Sequence, residues 1–197
     1  MRKHSHAIAG CTVITALLLS ACAPSVKPID EAAAVERGQA LAQASFQALS
    51  GRLKQAMAEG GPAHAVVYCN TAALPLVDSL SQAHGARIKR TSLKLRAPHD
   101  APDPAEREQL EAYARSWSEG GEPLKPKAVA HGVDSVAFYA PIFIQAPLCL
   151  TCHGVAGENL DSTAHAAIRT NYPDDEATGY ALGDLRGLWS IRWKRPD

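Results

Sequence analysis

Neither sign of charge dominates this 197-residue chain, in which 20 basic residues meet 20 acidic ones. With Arg2 and Lys3 lost in an N-terminal leader, 18 basic residues remain against the same 20 acidic ones. No basic stripe of the density that a phosphate backbone demands is present, which excludes DNA and RNA as partners. Long hydrophobic runs are also lacking. The one candidate, Cys11 to Leu19, has signal-peptide length and is too short to span a bilayer as a mature helix. Methionine is nearly absent: beyond the initiator there is only Met57. No internal repeat or low-complexity tract interrupts the chain. Apolar residues at 46% and charged residues at 20% describe an ordinary globular domain with a core of its own.

The apolar run ends in Leu19-Ser20-Ala21-Cys22, which resembles the lipobox of bacterial lipoproteins. Small residues at 20 and 21 suit a peptidase cleft, and Cys22 becomes the lipidated N-terminus. Several acyl chains anchor stably where one binds only marginally. Residues 1–21 therefore read as a lipoprotein signal peptide, 22–30 as a tether with two prolines, and 31–197 as the domain. Ala23 in place of Asp after the cysteine points to the outer membrane, on the periplasmic side.

Five cysteines in an exported chain raise the question of disulfides. Cys11 leaves with the signal and Cys22 takes lipid, so Cys69, Cys149 and Cys152 remain. An odd count at these spacings excludes a disulfide scaffold. A zinc ribbon needs a second ligand pair, and there is none. A thioredoxin-like motif needs a strand–turn–helix setting that is not evident here.

Cys149-Leu150-Thr151-Cys152-His153 instead has the C-x-x-C-H spacing of covalent haem attachment. Two thiols add across the two vinyl groups, the two intervening residues let both sulfurs reach one porphyrin edge, and His153 falls under the iron as proximal ligand. Attachment of this kind takes place outside the cytoplasm, in accord with the leader. For the sixth position the residues leave several candidates: Met57, His64, His84, His99, His131, His165 and Cys69. Cys69 differs from the rest as a lone thiol after an apolar stretch, equally readable as an inert buried cysteine.

Periodicity predicts a helix over 31–59, stopped by Gly60-Gly61-Pro62. A short helix capped by Asn70 and Thr71 follows, then a strand over 86–95 and a helix over 105–117. Strands at 126–131 and 134–145 pair through a turn, and a final strand occupies 183–193. Helices first and a small antiparallel sheet later make the class α+β.

Taken in order, Cys69-Asn70-Thr71-Ala72-Ala73, Arg90-Thr91-Ser92-Leu93-Lys94-Leu95-Arg96, the Cys149–His153 motif, and Tyr172-Pro173…Gly179-Tyr180…Gly183-Asp184-Leu185-Arg186-Gly187 resemble an exported single-haem c-type family with a PAS-like fold. That family is a domain of unknown function with cyanobacterial members, and related domains form the sensory part of some histidine kinases. The likeness covers most of residues 35–193. It implies a PAS-like arrangement of N-terminal helices on a small antiparallel sheet, and Cys69 as the axial thiolate opposite His153. It also implies that Arg90 and Arg96 pair with haem propionates or brace the adjoining loop. Where the family shows Asn-Pro-x-Asn, this chain has Ala97-Pro98-His99-Asp100, which puts the turn's hydrogen bonds in question and brings His99 into consideration at the haem edge. The implied function is a redox- or ligand-responsive haem module of the envelope. The alternative is a periplasmic electron carrier. With no distal acid–base set in view, an enzyme is not expected. Partners beyond haem and the membrane would be an envelope redox or signalling protein.

Overall fold

The computed structural model describes residues 28–120 and 122–195. The leader, Cys22 and most of the tether lie outside the described residues. Asp30 caps the first helix by accepting from the Ala33 amide at 3.1 Å, so α1 starts at Glu31 and runs to Ala83. Two non-helical residues split it, Gly60 (φ −152°, ψ 15°) and Gly61 (φ 73°, ψ −167°). The second conformation is open essentially to glycine alone. Pro62 then opens the second half, where its missing N–H costs nothing. The helix expected over 31–59 is present. The expected cap at Asn70–Thr71 is not: helix continues unbroken through both, and Thr71 turns its hydroxyl back to the Val67 and Tyr68 carbonyls. Tertiary burial explains the difference. Val66 packs against Leu160, Ala164, Ile168 and Tyr172, so a β-branched stretch is held helical by what it touches. Phe46, counted on the apolar stripe, is 52% exposed.

Four antiparallel strands follow: β1 Ala86–Thr91, β2 Lys127–His131, β3 Ser135–Phe143 and β4 Leu185–Lys194. Their order across the sheet is β1-β4-β3-β2. β1 stops at Thr91 rather than Leu95 because the Ser92 hydroxyl takes the Lys94 amide at 3.0 Å, a local bond that competes with the ladder. One sheet face, with Ile88, Val136, Phe138, Ile191 and Trp193, packs on α1 through Leu41, Ala42 and Val77. The other carries Ala137, Tyr139 and Leu188 against Leu110 and Tyr113 of α2, Pro104–Ser118. N-terminal helices on a small antiparallel sheet make an α+β fold. A capping box of Asp103 and Glu106 starts α2.

Two helices not expected from the residue pattern, α3 Pro147–His153 and α4 Ser162–Asn171, lie between β3 and β4 in the chain. α4 packs on the second half of α1, and with α3 it builds the end of the domain where the cysteines gather. Among the described residues no helix is long and apolar enough to cross a membrane.

Candidate functional site

Pro147 occupies the first turn of α3, where a fixed φ favours helix. Helical spacing of three puts Cys149 and Cys152 on one face, and His153 closes the last turn. Cys69, Cys149 and Cys152 are all unpaired and half-buried. Burial raises the Cys152 thiol pKa, Arg96 partly offsets that, and the nearby Cys69 and Cys149 push it up again.

His153 is oriented from behind. Its Nδ1 lies 2.7 Å from the Ala177 carbonyl, which fixes the proton on Nδ1 and leaves Nε2 as a free lone pair. Shielding of the ring from water, with Arg186 and Arg96 as further positive neighbours, holds the imidazole pKa well below its ordinary value. The ring is therefore neutral and able to bind a metal at neutral pH. Residues 177–180 form a strap along the helix end. The Gly179 amide donates to the Gly154 carbonyl at 2.8 Å and the Tyr180 amide to the His153 carbonyl at 2.9 Å. The Tyr180 ring meets the imidazole edge-on at 6.2 Å.

Arg96 ties this strap to α3. Its Nε and Nη2 hold Asp175 at 2.9 and 3.4 Å, while Nη2 also donates to the Cys152 carbonyl at 2.7 Å and the Ala177 carbonyl at 3.1 Å. The same carbonyl thus receives both Arg96 and His153. Arg90 is different: its guanidinium lies 6.0 Å over the Trp189 ring and makes no hydrogen bond or ion pair with the described residues. A third arginine, to which sequence reasoning gave no role, stands beside them. Arg186 donates to the Lys94 carbonyl at 3.1 Å and lies 5.4 Å from the Tyr180 ring, but its buried Nε has no partner.

Cys69 sits one turn beyond Val66 on α1, the residue that packs into the α4 cluster against which Cys152 leans. Burial raises its pKa, and the charges of Arg90 and Arg96 pull it back down. Cys69 is thus a neighbour of Cys152 and Tyr172 beside that cluster, brought toward α3 from a separate element. The other sixth-ligand candidates are spread over several elements. His64 pairs with Glu59 at 3.8 Å, His84 ends α1, His131 ends β2, His165 is on α4, and Met57 is in the first half of α1. His99 lies in a short 3₁₀ turn against Asp100 at 3.8 Å. With Arg90 it lines a groove of about 430 Å³ between the second half of α1 and β1.

Among the described residues no three His, Cys, Asp or Glu side chains are gathered closely enough to hold a bare metal ion. One free imidazole nitrogen, thiols on one helix face, and cations without carboxylates suit a metal already held by a macrocycle that carries its own carboxylates. The orphaned Arg186 Nε is the detail that fits such a group best, since an unpaired buried donor calls for an acceptor.

The family model described as Tll0287-like matches residues 26–193. No curated protein matches the chain. Among solved structures, that of the cyanobacterial heme-protein Tll0287 is similar in fold, with a TM-score of 0.60 and 21% identity over 84% of this chain and 97% of that one.

Proposed function

Since the chain belongs to the Tll0287-like family, we propose that it binds one haem covalently through Cys149 and Cys152, with His153 as proximal ligand and Cys69 as distal ligand. The observation that carries this reading is the preparation of His153, neutral and with Nδ1 already bonded to Ala177, on the same short helix as two free thiols. A structural cysteine pair would not need an oriented imidazole beside it. The solved relative is a heme-protein by its title, which supports the same reading.

Bound haem would supply a one-electron iron couple. The chain's own residues would set its properties: a thiolate from Cys69 favours the higher oxidation state and blocks small ligands. Loss of that sulfur on reduction would turn a redox change into a change of coordination, as a redox- or ligand-responsive module requires. We therefore favour a responsive module over a plain electron carrier and over an enzyme. It would act on the periplasmic side of the envelope, anchored by lipid at Cys22, with a separate protein receiving the signal.

The test is mass spectrometry and absorption spectroscopy of protein matured in a periplasm with working cytochrome assembly. One haem mass is expected on the wild type and none on Cys149→Ser/Cys152→Ser. Cys69→Ala should retain the haem mass but change the spectrum of the oxidised protein. Free thiols at 149 and 152 would overturn haem attachment, and an unaltered Cys69→Ala spectrum would overturn thiolate ligation alone.

A further inference from the structure

Arg186 owes its direction to an irregularity in the sheet. Along the β3–β4 pair, Ile142 faces Gly187 and Phe143 faces Leu185, which leaves Arg186 as the extra residue of a β-bulge. In a regular strand Arg186, two positions from Leu188, would point to the α2 face with it. The bulge gives that face to Leu185 instead, which packs beside Leu188, Leu110 and Tyr113. Arg186 is turned to the other side, toward Tyr180 and Lys94. Bulges of this kind re-aim side chains next to functional sites. Gly187 makes the arrangement fit, because a Cβ there would strike the Thr91 carbonyl of β1.

The guanidinium so delivered is incompletely paired. Among the described residues only Nη1 makes a hydrogen bond, to a neutral carbonyl; Nε is buried with no partner there, and no ion pair is made with them. Arg192, farther along the same strand, also has a buried Nε without a hydrogen-bond partner, but it keeps carboxylates beside it, Asp103 at 2.7 Å and Glu106 at 3.5 Å. At the site end the carboxylate of Asp175 is already taken by Arg96. Arg186 is half-buried; its water-shielded Nε calls for an acceptor, and its planar fork matches a carboxylate in two-point contact.

We propose that Arg186 is the anchor for a propionate carboxylate of the haem, presented to it by the β3–β4 bulge, with the unpaired Arg90 on the same side as a second cation. Arg96 is then a bracing residue, since it is committed to Asp175 and to two carbonyls. This inference rests on the haem reading, and deepens it by naming the group that receives the cofactor's acid end.

The experiment is resonance Raman spectroscopy of matured wild type, Arg186→Gln and Arg186→Lys, after mass spectrometry has established the covalent haem. The propionate bending band responds to hydrogen bonding at the carboxylate, and should shift in Arg186→Gln. A smaller shift is expected in Arg186→Lys, which keeps the charge but loses the fork. A merely structural Arg186 would alter stability and leave that band in place, which overturns the proposal. Should Arg186→Gln fail to accumulate, Arg186→Lys carries the test alone, and an unmoved band has the same meaning. Absence of haem mass from the wild type overturns the haem reading and this inference together. Haem present with an unmoved band overturns this inference only.

Discussion

Replacing Arg96 with Met removes a side chain that, together with His153, joins residues 175–177 to α3. The Arg96 and Asp175 side chains are only 15% and 7% exposed, so the pair is an interior one. Exposed pairs contribute about 0–1 kcal/mol, whereas removing one partner of a buried pair costs about 3–5 kcal/mol. Two further charged-donor bonds to the Cys152 and Ala177 carbonyls go with it. These contributions overlap, because the same guanidinium makes them all, so Arg96→Met should cost about 3–5 kcal/mol in total. Urea unfolding at pH 7, followed by circular dichroism, measures it as a shift in midpoint at constant slope. The cycle with Asp175→Asn isolates the pair, and a coupling of about 1–3 kcal/mol is expected. A cost below about 1 kcal/mol for Arg96→Met would place the pair in the exposed class and refute the reasoning, including the claim that Arg96 braces the carbonyl on which His153 is hung.

Other consequences are simpler to read. Gly61→Ala should destabilise by about 1–3 kcal/mol, because φ is 73° there; Gly51→Ala, in open helix with nothing near its Cβ position, should stabilise by up to about 1 kcal/mol. Equal effects from the two would remove the argument for the kink. Asp103 gives a pH dependence: burial alone would raise its pKa, but the Arg192 bond and the Glu106 amide hold it down to about 2 from 3.8. Since the folded value lies below the unfolded one, its stabilisation is complete above pH 3.8 and is lost as pH falls toward 2. Asp103→Asn should make the acid limb of the stability curve shallower, and an identical limb would count against it.

Where local pattern and tertiary setting agree, elements were legible in the sequence. The run Val136-Ala137-Phe138-Tyr139-Ala140 reads as a strand, and both its faces are buried. The pattern predicts α2 over 105–117, and the structure starts it at Pro104 behind the Asp103 cap. Helices α3 and α4 were missed because seven and ten residues make only about two or three turns each. Asp161, which caps α4 through the Thr163 and Ala164 amides, was a signal available before Ala164 and Ile168. The second half of α1 was cut too late because its β-branched residues are made helical by α4.

The chemistry of the α3 face is written in the chain: two thiols and an imidazole within five residues are a local fact, carried by covalent spacing and independent of the fold. The residue pattern also set the α+β class, since hydrophobic period follows from backbone geometry. Which distant groups meet that face is a matter of packing. Cys69 arrives from α1, Ala177 and Tyr180 from a strap after α4, and Arg96 from beyond β1. Arg186 is turned inward by one extra residue in a strand. Such meetings depend on register and burial summed over the whole chain, which no single stretch of residues encodes.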